Sequence, residues 1–468
     1  MATIIEQKPI FNTLPVGQEI MFSVSNLNIV STQERVRFIA EIHISNDNPI
    51  NLGSATHLIG TFKTTPNNVG VGMFDLSSIV ESYVKSDNLA TTGSTYKLMS
   101  TTATTQHPIH LVDKFTMSEN VMRYLAIQFK VEYFDTTTKS IVIAQAVNSE
   151  EYKIFNGYLK YSDQLEWNND GFGYDISRFQ IQNPTTGQFL SNSPLTQYAT
   201  ADDYGTLAYL TKIAGGSVSN GYVGEIRMQC YDSAGGLLGS SINVPLSVLN
   251  GGYGVYSALL RKQLLYFGCF PANLRNWSTI FQTQYATGNL DHYDVRCYTA
   301  GGSAISKRYV INVLCPNLKN YDPIRLAWLN QWGAWDYYTF NQKSVRSMST
   351  KGSTYTQEKG TWNQSQYRVH GYKGGQKSFR VNATERISMN TDFVTEADGE
   401  WFEELINSPE VYLLEGYQDD LTQPVLNNYV TPVRLTTSSY TRKTIANDKL
   451  MQYTFEVEKS KTLRTQSI

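Results

Sequence analysis

Six histidines, four cysteines and a run of carboxylates are the residues of this 468-residue chain whose types could do chemistry. The histidines His43, His57, His107, His110, His292 and His370 are scattered, and only His107-Pro-Ile-His110 forms a close pair. Two imidazoles make a metal site only when both rings converge on one point. The intervening proline and the Thr-rich surroundings favour a plain loop over a metal site. Cys230, Cys269, Cys297 and Cys315 fit no zinc spacing, and a chain this long with four cysteines has no disulfide framework. They read as small buried apolar residues. Glu396, Asp398, Glu400, Glu403 and Glu404 cluster, as acids at a helix start and on a solvated helix face do. The chain contains no Gly-x-Ser-x-Gly elbow, no His-Glu-x-x-His and no Gly-x-Gly-x-x-Gly opening a helix. Gly215-Gly216 and Gly251-Gly-Tyr-Gly254 lack the Walker lysine and read as turns. The expectation is no catalytic residue, no cofactor and no metal: the chain is not an enzyme. A pair of glycosidase carboxylates would come from distant strands, so a glycan-cleaving enzyme is kept as the weakest of three readings.

The totals narrow the class. The chain has 39 basic and 41 acidic residues, a net charge of −2, and they read as mixed along it, so no basic face for nucleic acid is expected. Charged residues are only 17%, while tyrosines number 31, which is a composition of β-rich domains with polar surfaces. Met1 to Phe11 lacks the pattern of a secretory signal, and no apolar stretch of about 20 residues is present to span a bilayer. The expectation is a protein without a membrane anchor, kept in a cytosol or leaving by a route other than secretion, such as a virus particle.

The patterning predicts a mainly β chain: several sandwich-like (Ig-like) β domains in tandem, with few short helices. In a first domain, 1–155, apolar alternation marks strands at 21–24, 36–44, 58–62, 124–134 and 140–144. Phe134 to Lys139 reads as a hairpin loop. Leu76, Ile79, Val80 and Tyr83 predict one helical face over 75–84. A middle β domain, 156–314, holds two similar hairpins, each with Cys-Tyr at a strand end and Ala-Gly-Gly in the turn, around Cys230 and Cys297. Equivalent hairpins in two small sandwich units explain this, and chance likeness between hairpins explains it equally well. A C-terminal β domain, 315–468, has one helix near 396–407, with Thr395 as N-cap and Trp401, Phe402, Leu405 and Ile406 as its apolar face. Met451, Tyr453, Phe455 and Val457 share one side of a last strand. Ser86 to Gln106 and Lys343 to Gln364 read as long polar loops.

That last domain opens on the densest aromatic run in the chain, Tyr321-Asp-Pro-Ile-Arg-Leu-Ala-Trp-Leu-Asn-Gln-Trp-Gly-Ala-Trp-Asp-Tyr-Tyr-Thr-Phe340. Ile324, Leu326 and Trp328 alternate with Arg325 and Ala327, and alternation resumes after Gly333, so two half-buried strands with a turn at 330–333 are expected. A core hairpin is the plain reading and a sugar or base platform the sharper one. Trp332, nearest the turn, is the candidate inter-subunit contact if it is exposed while Trp328 and Trp335 are buried.

This run, with Cys315-Pro before it, Lys343-Ser-Val-Arg-Ser347, Asn382-Ala-Thr-Glu385, the 400–412 unit and Ser439-Tyr-Thr-Arg-Lys443 after it, resembles a virion protein type of tailed phages of Bacteroidetes, including crAss-like phages. Gly72-Met-Phe-Asp-Leu-Ser77, Phe189-Leu-Ser-Asn-Ser-Pro194 and Asp203-Tyr-Gly-Thr-Leu207 are similar to it as well. The resemblance implies a structural tail or neck protein, present as a homo-oligomeric ring that copies the portal's twelvefold symmetry. It implies the portal, other ring, tail or muzzle proteins as neighbours, and at most transient contact with DNA in the lumen. It also implies assembly in the bacterial host cytoplasm and location in the virion. The two polar loops and the polar C-terminus are the expected subunit contacts. A baseplate or fibre-like module binding host surface glycan is the alternative, and it would need exposed, coplanar aromatics.

Overall fold

The structure is a computed structural model; it describes residues 2–46, 49–86, 107–110, 115–117, 120–210, 223–245, 264–299, 301–314, 321–415, 430–437, 439–444 and 451–466. The chain is mainly β. It divides into two compact units. The first is Met1–Leu314 with Leu329–Asp336 and Tyr417–Val425; the second is Cys315–Trp328, Tyr337–Gly416 and Leu426–Ile468. Residue 155 falls inside the strand Tyr152–Tyr158, and residues 1–314 fall within a single unit.

In the first unit, a three-stranded sheet (Ile4–Gln7, Met21–Ser25, Val71–Asp75) faces a six-stranded one built on Glu34–Ser45 and Met122–Asp135. Their inner side chains form one core, in which Phe129 lies 5.5 Å from Phe22 and 5.6 Å from Phe74, ring centre to ring centre. This is sandwich packing, and strict alternation along the strands produces it. The predicted helix is shorter than expected, Ser77–Glu81, with Leu76 and Val80 buried but Tyr83 exposed. It ends before the turn that would have carried Tyr83 inward.

The two similar hairpins do not build two sandwiches. Glu225–Tyr231 and His292–Tyr298 are antiparallel neighbours in one five-stranded sheet, with Cys230 across from Tyr293 and Cys297 across from Ile226. Cys230, Cys269 and Cys297 are buried; Cys315 lies outside the described residues. Burial, with the Asp294 carboxylate adding to it, pushes the Cys230 thiol up to about 12, and burial pushes Cys297 further up. Thiolate is the reactive form, so Cys230 and Cys297 should stay unlabelled by a thiol reagent at pH 8 until denaturant is added. Mass spectrometry of peptides checks this, and native labelling at Cys230 or Cys297 would refute the packing described.

The second unit is one seven-stranded sheet, in the order Trp335–Phe340, Ile324–Leu329, Val411–Leu414, Val430–Leu435, Thr454–Lys459, Gly375–Asn390 and Val345–Gln357. The helix Glu396–Asn407 packs its apolar face on it, joining Trp401, Phe402 and Leu405 to Trp328, Ile387, Met389, Phe455 and Val457. Thr395 caps this helix reciprocally with Asp398: the Asp398 amide donates to Thr395 Oγ1 at 3.3 Å, and the Thr395 amide donates to Asp398 Oδ2 at 2.9 Å. Met451, Tyr453, Phe455 and Val457 are all buried, as their alternation requires.

Candidate functional site

The sequence offers Trp332 as a candidate inter-subunit contact on the condition that it is exposed. The structure buries it completely. Its ring packs on Phe179 at 4.8 Å, stacks on Tyr174 at 5.7 Å and meets Phe155 at 6.5 Å, so it is unavailable to a second subunit. The reason is the turn it sits on. Asn330 Oδ1 accepts from the amides of Trp332 (3.0 Å) and Ala334 (2.9 Å), while Gly333 takes φ +73°. The turn docks into the first unit: Asn330 Nδ2 donates to the Leu190 carbonyl at 2.9 Å, and the Tyr158 amide donates to the Gln331 carbonyl at 2.9 Å.

The flanking strands are buried on both sides rather than half-buried. Arg325 and Ala327 are as inaccessible as Ile324 and Trp328. Arg325 is accommodated because its guanidinium lies 5.3 Å from the Tyr337 ring centre and donates to Thr339 Oγ1 at 2.7 Å. Trp328 and Trp335 are buried too, so this run offers no aromatic platform.

His107 is buried edge-on against Trp335, at 5.5 Å, and its Nδ1 accepts from the Ile109 amide. Among the described residues no group of three or more His, Cys, Asp or Glu is arranged to hold a metal. The carboxylate cluster divides: Asp398 caps the helix, Glu400 and Glu403 pair with Arg442, and Glu404 is buried instead of solvated.

The feature that stands out lies where the sequence pattern predicts a long polar loop. Residues 343–364 are mostly the strand Val345–Gln357, which pairs along its length with Gly375–Asn390 to make a long antiparallel ribbon. The second of these strands pairs with Thr454–Lys459 only from Arg386 to Asn390, plus a single bridge from Ala383 to Leu463. Beyond that, the ribbon is two strands and nothing else among the described residues, with nearly every position of Val345–Gln357 exposed. Gly374 (φ +91°) and Gly375 (φ +78°) turn the chain back into it. The Ser86 to Gln106 loop lies, apart from its first residue, outside the described residues.

Large apolar side chains are exposed along this ribbon and its connecting loop: Met348 (62%), Val381 (42%), Trp362 (69%) and Tyr372 (72%) among them. Trp362 and Tyr367 meet at 70°, so they form no flat platform. The charge is also uneven. Residues 343–384 hold eight Lys and Arg against the single carboxylate Glu358, a net of +7 in a chain of −2, which leaves −9 for all other residues. The near-balance of the totals concealed this; net charge summed over short windows would have found it.

No family model matches the chain, and no curated protein matches it. Among solved structures it is similar to native alpha-2-macroglobulin of Escherichia coli, at 8% identity and a TM-score of 0.18 over 83% of this chain and 22% of that one. It is similar to the trypsin-activated form of that protein at 8% identity and a TM-score of 0.18, over 84% and 23%. The chain spans less than a quarter of the length of these structures, and a likeness of that size carries no argument about fold or function.

Proposed function

We propose that this chain is a structural virion protein that assembles as a closed ring of identical subunits in the tail or neck of a tailed bacteriophage, below the portal. The resemblance noted in the sequence supplies the class. The observation that carries the assembly reading is the projecting ribbon. An isolated two-stranded ribbon is marginal in water, and its free strand edges and uncovered apolar side chains are what a neighbouring subunit would pair with and bury. The same contact repeated with a rotation that closes gives a ring. The expected neighbours are the portal and other ring, tail or muzzle proteins of the same phage.

The alternative, a baseplate or fibre-like module holding host glycan, draws on the exposed Trp362 and Tyr372 in the loop that connects the two strands. Electron microscopy of the purified full chain separates the two. Rings seen end-on, lost in a Met348→Asp/Val381→Asp variant that keeps its circular dichroism spectrum, are the expected result. A monomer or a trimeric spike that binds capsular polysaccharide would replace this reading with the alternative.

A further inference from the structure

We infer that the ribbon is a binding surface for the phosphate backbone of duplex DNA, contacted without regard to sequence through Lys351, Arg380 and Lys377. Facing residues of an antiparallel pair point to the same side, and so does every second rung. Lys351 lies across from Asn382, Ser353 across from Arg380 and Tyr355 across from Lys377, which puts the three cations on three successive rungs of one side. Strict alternation would have sent Lys377 and Arg380, three residues apart, to opposite sides. The register shift between Ser353 and Thr354, which leaves Phe379 without a facing partner, brings them back together.

The charges are uncompensated where the ribbon projects and neutralised where it joins the sheet. Arg386 pairs with Glu458, Arg346 lies near Glu385 and Glu415, and Lys459 pairs with Glu385. No ion pair among the described residues involves Lys351, Lys377 or Arg380; Lys377 Nζ donates to the Tyr372 carbonyl at 2.9 Å. Arg368 and Lys373 extend the positive field into the connecting loop. A concentrated, unpaired positive charge in a chain that is otherwise acidic fits a polyanion that releases counterions on binding.

The dimensions fit as well. Successive rungs on one side are roughly 6.7 Å apart, close to two steps of the roughly 3.4 Å that separate phosphates of one strand along the duplex axis. A two-stranded ribbon is also an element that the major groove, roughly 12 Å wide, admits. These cations need no base contact to act, because phosphate contacts position without specifying sequence. The inference stands on the ribbon's own charges and does not require the ring.

The test is fluorescence anisotropy of a labelled duplex of mixed sequence titrated with the full chain at several salt concentrations. A single-stranded oligonucleotide of the same length is run beside it. The expected result is duplex binding that falls with salt, with the triple variant K351Q/K377Q/R380Q at least about tenfold weaker at low salt and its log–log salt slope reduced by about 3. The charge-keeping variant K351R/K377R/R380K should bind like the parent. No duplex binding at low salt would overturn the inference, as would binding that the triple variant leaves intact. A preference for the single strand would overturn the duplex assignment. A triple variant that changes oligomeric state while its DNA binding is unchanged would show that the cations serve an acidic protein surface instead.

Discussion

Trp332→Ala should lower the stability of the folded chain by about 3–5 kcal/mol, the usual cost of truncating a fully buried tryptophan. The indole is closed in by Phe179, Tyr174 and Phe155, and the Arg178 guanidinium lies 5.9 Å from its ring centre. Removing it leaves a cavity whose walls are held by the strand Tyr152–Tyr158, the short helical turn Ser177–Phe179 and a docked turn, so little can collapse into the space. Trp332→Phe should cost much less, on the order of 1–2 kcal/mol. The indole N–H finds no acceptor among the described residues, so the smaller ring sacrifices no hydrogen bond. The turn itself is equally constrained. A Cβ on Gly333 would sit 2.4 Å from the Asn156 carbonyl oxygen at a φ of +73°, so Gly333→Ala combines a backbone clash with a left-handed residue. Urea denaturation followed by near-ultraviolet circular dichroism reads all three. A loss below about 1 kcal/mol for Trp332→Ala would mean that this tryptophan is a surface residue after all.

Trp332 also marks where the sequence stopped being legible. The turn was readable: Asn330 and Gly333 have turn chemistry, and both perform it. Its burial was not readable, because the residues that cover it come from 155–179, far away in the chain, and no local period reports such docking. Periodic patterns worked where one side of an element is dry and the other wet. Met451 to Val457 and Trp401 to Leu405 show this, as does the mainly β class. They failed at both extremes. Arg325 and Ala327 are polar or small at positions that alternation assigns to solvent, and the strand is dry on both sides. Val345–Gln357 is wet on both sides, so its Ser, Thr, Gly and Lys carry no apolar period and resemble a loop. Its strand character comes from cross-strand pairing with residues some thirty positions on, which only the fold reveals. The charge excess beside it was legible in principle but averaged away in the totals.

Phe402→Ala should produce the second large loss, again about 3–5 kcal/mol, in the other unit. Phe402 is fully buried at the contact between the helix Glu396–Asn407 and the seven-stranded sheet. Tyr338 meets it edge-on at 4.9 Å, and Phe455, Trp401 and Tyr453 surround it at 5.5, 5.7 and 5.9 Å. Edge-to-face pairs contribute beyond the area they bury, so substitution to leucine restores much of the volume but not these ring contacts. The order should therefore be parent, then Phe402→Leu, then Phe402→Ala. Glu396→Ala, at the start of the same helix, should change stability by only a few tenths of a kcal/mol, since it tests the helix end without touching the core. The ribbon strand Gly375–Asn390 enters this core through Ile387 and Met389. Loosening the core at Phe402 should then raise amide hydrogen exchange at Arg386 to Asn390, where that strand pairs with Thr454–Lys459. Exchange rates there that match the parent's, alongside a full loss of stability, would separate the ribbon's base from the aromatic core and remove that link.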